Sequence, residues 1–180
     1  DGNINFSFIV PKALYDQNRQ FSVICKAVEK YGLSTSLSGR NDILCEGRKF
    51  SGNAFAKSQY QNLHHGTILI KGNIEDLQRY LKVRPAKLHK HGVASVNSRV
   101  VNLSELVVPS LLFPEGITSN NIVGPLLEAF QEVYAGKAEE ISFDELLKTQ
   151  GVQSLYAKFA SDEWRFGKWR NFKASRSAQF

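Results

Sequence analysis

The sequence predicts an α+β fold, in which helices pack against a sheet. Two observations carry this prediction: apolar and polar residues alternate in short segments of the first half, and apolar residues recur at intervals of three and four in the second half. The 180 residues, 42% of them hydrophobic, suit one domain with a buried core. No apolar run is long enough to cross a bilayer, so we expect no membrane partner.

The first predicted elements are a strand and a helix. NINFSFIV, residues 3 to 10, alternates in the manner of a strand, which stops at Pro11. A helix is predicted within residues 12 to 31, with Gly32 as its left-handed C-cap. Its apolar positions recur at three and four: Phe21, Ile24, Val28 and Tyr31.

A hairpin and a further strand follow. DILCEGRKFSG, residues 42 to 52, predicts two strands joined at a Glu46-Gly47 turn. HHGTILIKG, residues 64 to 72, predicts the next strand. Together these segments make the first half of the chain rich in strands.

Helices dominate the later predictions. Residues 74 to 81 place Ile74, Leu77 and Leu81 on one helical face. Asn120 or Asn121 is the expected cap of a helix that ends near Gly136. Its inward residues are predicted to be Leu127, Phe130 and either Val133 or Tyr134. Ser142 to Glu145 has the spacing of a capping box before a final helix.

The formal charge is +6, and the excess lies in two basic stretches, residues 79 to 99 and 165 to 176. Such stretches attract anions, yet they also occur as ordinary solvated faces. A phosphate-bearing small molecule and an acidic protein partner fit equally well. No nucleic-acid-binding motif accompanies the charge, so we expect no nucleic acid partner.

The cysteines and histidines do not form a metal site in the sequence. Cys25 and Cys45 lack CxxC spacing and lie in apolar contexts, which favours buried thiols in a reducing compartment. His64 and His65 are adjacent on a predicted strand and therefore point to opposite faces, an arrangement unsuited to one metal ion. Whether one of them lines a pocket or is structural stays open.

Lys49 has two interpretations. Alternation puts Lys49 and Ser51 on one face of the strand, and Arg48 and Phe50 on the other. If Phe50 is buried, Lys49 is an ordinary surface lysine, which periodicity alone favours. If the hairpin lines a cleft, Lys49 faces a ligand, and Gly52 lets that ligand approach the backbone.

Four blocks, taken in this order and spacing, resemble the lipoate-protein ligase A family over nearly the whole chain. They are GRNDILCEGRKFSGNAF (39 to 55), HHGTILI (64 to 70), SVNSRVVNL (95 to 103) and EWRFGK (163 to 168). The resemblance implies a mixed, largely antiparallel sheet flanked by helices, like the biotin/lipoate-protein ligase catalytic domain. Residues 1–180 would be that catalytic domain.

The resemblance also implies a two-step reaction. Lipoate and ATP, with Mg²⁺, form lipoyl-adenylate and pyrophosphate; the ε-amine of an acceptor lysine then attacks, forming an amide and releasing AMP. The implied acceptors are the E2 lipoyl domains of 2-oxoacid dehydrogenases and the glycine-cleavage H protein. The implied compartment is the cytoplasm, or the mitochondrion in a eukaryote.

The site residues follow from the same resemblance. Lys49 matches the family's invariant lysine, which contacts both the lipoyl carbonyl and the α-phosphate. Asp42 is expected to help hold Mg²⁺ on the triphosphate. The full set of residues matched to lipoate and ATP binding is Asn3, Asn41, Asp42, Lys49, Ser51, Gly52, Ala54, His65, Ser98, Arg99, Val100 and Asn102.

The chain departs from the family pattern at its start. An arginine-rich motif with a serine and three glycines would precede Asp1, and Asp1-Gly2-Asn3 is one residue shorter than the family element. We therefore expect a fragment, with a residue such as methionine lost between Asp1 and Gly2, because the sequence contains no methionine. A chain without the upstream motif is expected to be a crippled ligase, because part of the lipoyl and phosphate cradle is missing. The family's C-terminal accessory domain is also expected to be absent.

Three other functions remain open on the sequence. An acyltransferase of the same fold would use Cys25 or Cys45 in a thioester, although their apolar contexts argue against a reactive thiol. A transferase could instead use a preformed acyl-adenylate. A non-catalytic module that recognises lipoyl domains is the third.

Overall fold

A computed structural model describes residues 2–76 and 100–167. The chain divides into two compact units, Asp1–Lys137 and Ala138–Phe180. The expectation of a lost residue after Asp1 lies outside the described residues. The prediction that residues 1–180 form one catalytic domain stays a prediction.

The described part of the first unit is built on a sheet of five strands in the order β1-β5-β4-β3-β2. All neighbouring strands pair antiparallel, and one isolated parallel bridge joins Lys49 to Val100. The predicted α+β fold with a largely antiparallel sheet is therefore confirmed. The strands are β1 Asn3–Pro11, β2 Thr35–Ser38, β3 Asp42–Cys45, β4 Arg48–Lys57 and β5 Gln61–Leu69.

The predicted first helix is α1, Gln17–Glu29, preceded by a short 3₁₀ turn at Lys12–Leu14. Asp16 caps it, because its carboxylate accepts a hydrogen bond of 2.9 Å from the Arg19 backbone N–H. Gly32 has φ +80°, the left-handed conformation predicted for it.

The second helix, α2, is Val123–Tyr134, and its predicted cap is wrong. The side-chain oxygen of Asn121 accepts hydrogen bonds from the Thr118 backbone and from the Tyr31 hydroxyl, and its amide donates to the Gly116 carbonyl. Asn121 therefore ties the preceding loop to Tyr31, just after the end of α1, rather than capping α2.

The inward face of α2 differs from the prediction at one position. Leu127 is 47% exposed, whereas Ala129 is fully buried against Val23 and Ala27 of α1. Phe130, Val133 and Tyr134 pack on the same cluster, as predicted. Ion pairs from Lys26 to Glu132 and from Lys30 to Glu128 fasten the outer edges of the two helices.

The second unit holds short helices in its described part, residues 138 to 167. The predicted capping box is confirmed: the Ser142 side chain and the Glu145 side chain each bond the other's backbone N–H at the start of α3, Phe143–Lys148. Two further helices follow it, α4 Val152–Ala160 and α5 Asp162–Phe166. Residues 74 to 76 are helical, and the rest of the predicted helix to residue 81 lies outside the described residues.

The two faces of the sheet have different environments. One face, the core face, packs its apolar side chains against α1 and includes Phe6, Ile43 and Ile68. The opposite face, called the outer face below, carries Asp42, Gly52, Thr67 and Asn5. These four residues are paired in one row across β3, β4, β5 and β1.

Candidate active site

A β-bulge shapes the strand that carries Lys49. Ile43 pairs with Ser51, but the next residue, Leu44, pairs with Lys49, so Phe50 is an extra residue in β4. Phe50 and Ser51 are each 1% exposed. The predicted placement of Ser51 beside Lys49 is therefore wrong, because the bulge interrupts the alternation on which it depended.

Lys49 is held on the outer face and is neither free in solvent nor buried. Its Nζ lies 2.7 Å from Asp42 Oδ1, and the two side chains are 38% and 41% exposed. Its aliphatic chain passes over Gly52, because a Cβ added at Gly52 would lie 3.1 Å from Lys49 Cε and 3.0 Å from Nζ. A fixed ammonium beside open sheet surface can neutralise negative charge on a bound group.

A second row of the outer face lies beside the first. In it Ser7, His65 and Ala54 are paired across β1, β5 and β4, and all three are exposed. Asn3 belongs to the same face at the start of β1, and its amide donates to Asn5 Oδ1 at 3.3 Å. The structure thus brings together, on one face, Asn3, Asp42, Lys49, Gly52, Ala54 and His65.

Sequence reasoning missed two residues of this face, Asn5 and Thr67. Thr67 pairs directly with Gly52, and Asn5 pairs with Thr67. Their positions follow from the register of β1, β4 and β5, and alternation within single strands does not give that register. An assumed antiparallel pairing of the strands HHGTILI and NINFSFIV would have placed Thr67 opposite Asn5 and revealed both residues.

A buried polar network lies under the site on the core face. The Asn53 side-chain amide donates to the Asn41 carbonyl at 3.0 Å and to Ser51 Oγ at 3.1 Å. Its Oδ1 therefore accepts the 2.8 Å bond from His64 Nε2–H. The Asn53 backbone N–H also donates to the Asn41 carbonyl. The two bonds from Asn53 to the Asn41 carbonyl fix the backbone of Asn41, the residue immediately before Asp42.

His64 has a structural role, and the pocket role of His65 stays a prediction. His64 is fully buried, stacked on Phe55 at 4.5 Å between ring centroids, with the rings of Phe6, Phe8 and Phe21 at steep angles to it. Burial, and secondarily the neighbouring His65, lowers the pKa of His64 to about 4. His64 is therefore neutral at physiological pH.

The segment that follows residue 99 runs beside Lys49. Val100 forms the parallel bridge with Lys49, and the Val101 backbone N–H donates to the Lys49 carbonyl at 3.0 Å. A cleft of about 420 Å³ adjoins this segment, lined by residues that include Arg48, Val100 and Asn102. Ser98 and Arg99 lie outside the described residues.

Asn102 is an anchor for this segment. Its amide donates to the Gly72 carbonyl at 3.0 Å and to Glu105 Oε1 at 2.7 Å, and its Oδ1 accepts from the Gly72 N–H at 2.8 Å. The side chain is 94% buried, since only 6% is exposed. Asn102 thereby joins Gly72, in the turn after β5, to the segment that runs beside Lys49.

The two thiols have little nucleophilic character. Cys45 is 1% exposed and Cys25 is partly buried. Burial raises the pKa of each thiol above its ordinary value, so the reactive thiolate is disfavoured.

Among the described residues, no three or more His, Cys, Asp or Glu side chains are grouped to hold a metal ion. In that same part of the chain, no helix is long and apolar enough to span a membrane.

The family is established by comparison with known proteins. Residues 1–131 match the model of the lipoyl protein ligase A/B catalytic domain, and the chain belongs to this family. A lipoate-protein ligase A of Psychrobacter cryohalolentis is 37% identical over 95% of the chain and 50% of the relative. That of Bdellovibrio bacteriovorus is 34% identical over 92% of the chain and 48% of the relative. The chain thus spans about half the length of the curated relatives it matches.

Solved structures agree on the fold. A bipartite lipoate protein ligase from Thermoplasma acidophilum, studied with its E2 lipoyl domain, superposes with a TM-score of 0.72 at 20% identity, over 92% of this chain and 64% of that one. P. falciparum LipL1 in complex with lipoate gives 0.64 at 25% identity, over 96% and 48%. A lipoate-protein ligase A bound with ATP gives 0.65 at 21% identity, over 92% and 66%.

Proposed function

We propose that this chain carries the catalytic site of an ATP-dependent lipoate-protein ligase. The observation that carries the proposal is the fixed ammonium of Lys49, held by Asp42 across Gly52, at the position that the family resemblance assigns to the lysine between lipoate and phosphate. Membership of the lipoyl protein ligase A/B family supports the same reaction.

The geometry suits charge stabilisation in both steps. In the first step a lipoate carboxylate oxygen attacks the α-phosphorus of ATP, and the bond to pyrophosphate breaks. In the second, the acceptor amine attacks the lipoyl carbonyl, the bond to phosphate breaks, and AMP leaves as the amine loses a proton. Lys49 would offset the negative charge that gathers on the carbonyl and phosphate oxygens in each step.

Asp42 would have two roles. Its Oδ1 anchors Lys49, and a carboxylate that is 41% exposed can also offer oxygen to a hard cation. Mg²⁺ commonly takes one or two carboxylates together with substrate phosphates, so a single aspartate on the outer face fits this ion. Bound Mg²⁺ would neutralise charge on the triphosphate. The remaining lipoate and ATP contacts are proposed for Asn3, Asn41, Ala54, His65, Ser98, Arg99 and Val100. Ser51, Gly52 and Asn102 would support the site indirectly, because Ser51 and Asn102 are buried and Gly52 lies under Lys49.

The acceptors that we propose are E2 lipoyl domains and the glycine-cleavage H protein, and the proposed compartment is the cytoplasm. The similar ligase of T. acidophilum was studied with its E2 lipoyl domain, which supports the first acceptor. The curated relatives named above are bacterial proteins, which supports a cytoplasmic site of action.

Lipoate-dependent exchange of labelled pyrophosphate into ATP tests the proposal. The intact gene product, called the wild type below, should show exchange, and Lys49→Ala should lower its rate by roughly 100- to 1000-fold, the usual cost of removing one such charge-stabilising donor. Lys12→Ala, an exposed lysine on the 3₁₀ turn, is the matched control and should retain exchange. Wild-type protein without lipoate-dependent exchange, or a Lys49→Ala variant with full exchange, would refute the proposal.

The thioester route is disfavoured by the buried thiols, and the same preparation separates it from the ligase route. Octanoyl or lipoyl transfer without ATP, lost in Cys25→Ala or Cys45→Ala, would support a thioester transferase. The ligase account instead predicts that both variants keep ATP-dependent transfer wherever they remain folded.

A further inference from the structure

The surface under the Lys49 side chain is the backbone of Gly52. A Cβ at this position would lie 3.0 Å from Lys49 Nζ and 3.1 Å from Cε, closer than ordinary van der Waals contact. Both atoms belong to the far end of a flexible side chain. A methyl group at residue 52 would therefore displace the lysine head group by a few tenths of an ångström and leave the backbone in place.

The β-bulge is what brings Lys49 and Gly52 together. Residues three apart on a regular strand point to opposite faces. The extra residue, Phe50, cancels one step of the alternation and puts Lys49 on the same side as Gly52. Gly52 is also paired with Asp42, the anchor of the Lys49 ammonium.

We infer that Gly52 is a positioning residue of the reaction, which acts through Lys49: the missing side chain lets the lysine lie across β4 and reach Asp42. The inference rests on the proposed function, since it concerns the geometry of the same ammonium. It differs from the sequence-based interpretation, in which the glycine leaves room for the ligand itself, because the space above Gly52 is taken by Lys49.

Kinetics of Gly52→Ala and a double-mutant cycle test the inference. Displacement of a catalytic group by about 1 Å can cost roughly 100-fold in rate, and a shift of a few tenths of an ångström is expected here, so kcat should fall by roughly three- to tenfold while the KM values for lipoate and ATP change little. In a Lys49→Ala background the same substitution should cost nothing further. A further loss as large as in the wild-type background would overturn the inference, because the glycine would then act on the substrate directly.

Gly124→Ala is the matched control. Gly124 lies in α2, and a Cβ there meets no heavy atom within 4 Å. This variant should keep wild-type kinetics, and its stability should be equal to or slightly above that of the wild type. Equal losses of kcat in Gly52→Ala and Gly124→Ala would contradict a specific effect on Lys49.

Chemical labelling of lysines gives a measurement that needs neither lipoate nor ATP. An amine-acylating reagent, with the modified peptides quantified by mass spectrometry, reports how strongly Asp42 protects Lys49. Loss of an exposed ion pair corresponds to roughly a two- to fivefold change, so Asp42→Asn should raise the labelling rate of Lys49 by that factor, and Gly52→Ala, which weakens the pair, should raise it by a smaller factor. Equal rates in Gly52→Ala and wild type would refute the inference. Absence of lipoate-dependent exchange in the wild type would instead refute the proposed function and leave the labelling result intact.

Discussion

The neutral, buried His64 makes the stability of the fold sensitive to acid. Its pKa is lowered from 6.5 to about 4 in the folded state, so between these values the unfolded chain binds a proton that the folded chain does not. Stability from this group is therefore complete above pH 6.5 and is lost as the pH falls toward 4. Each unit of pKa difference is worth about 1.4 kcal/mol, which limits the whole effect to about 3 kcal/mol and gives about 2 kcal/mol at pH 5.

Denaturant unfolding at about pH 7 and about pH 5 measures this effect in the wild type and in His64→Gln. The substitution keeps an amide that can bond Asn53 and removes the titrating group. It should reduce the loss of unfolding free energy between the two pH values by about 2 kcal/mol. His65→Gln, an exposed change on the outer face, should keep most of the wild-type loss, because burial is the main cause of the lowered His64 pKa. An equal loss in His64→Gln and wild type would refute this explanation of acid sensitivity.

Three further substitutions have expected outcomes. Gly66→Ala should destabilise the fold by about 1–3 kcal/mol in thermal unfolding, as overpacking does, because its Cβ would lie 2.6 Å from Asn53 Oδ1. Asn102→Ala should cost about 1–3 kcal/mol in the same measurement, since it leaves the Gly72 N–H and carbonyl without their partner; an unchanged Tm would show that Asn102 is not an anchor. Leu127→Ser should change stability by no more than about 0.5 kcal/mol, because this side chain is 47% exposed.

Local patterns in the sequence predict much of the first unit. The alternation in NINFSFIV is enough for β1, because half of its side chains enter the core and half do not. The Glu46-Gly47 turn is predictable because glycine readily adopts the positive φ that a two-residue hairpin turn needs. In the structure Gly47 has φ +73° and Glu46 has φ 50°. The capping box at Ser142 and Glu145 depends only on residues three apart.

The errors concern contacts between distant segments. Asn121 resembles a helix cap by position, but its side chain bonds Thr118 and Gly116 of the preceding loop and the hydroxyl of Tyr31, 90 residues away. Ala129 lies on the face of α2 that packs against α1, and Leu127 lies on the exposed face. The helices approach closely at Val23 and Ala27 of α1, and a close approach favours a small residue at the contact. A prediction from helical periodicity chooses the more hydrophobic residue, leucine, over alanine for the buried face. It contains no information on how closely another helix approaches.

In the candidate site, too, some features are predictable from the sequence and others depend on how distant segments pair. The resemblance assigns Lys49, Asp42 and Gly52 to one site, and the structure brings them together. Alternation failed at Ser51 because no residue in KFSGN signals the bulge; it is visible only in the pairing of β3 with β4. Thr67 and Asn5 are found only from the register across three strands.

In the proposed reaction, the Lys49 ammonium serves both the activation of lipoate and its transfer. The most direct measurement supplies preformed lipoyl-adenylate and an E2 lipoyl domain, without ATP, to wild-type protein and to Lys49→Ala. We predict that transfer from the adenylate falls by roughly 100-fold or more in the variant, because the charge on the lipoyl carbonyl oxygen then lacks its partner. Transfer at the wild-type rate by Lys49→Ala would contradict the account.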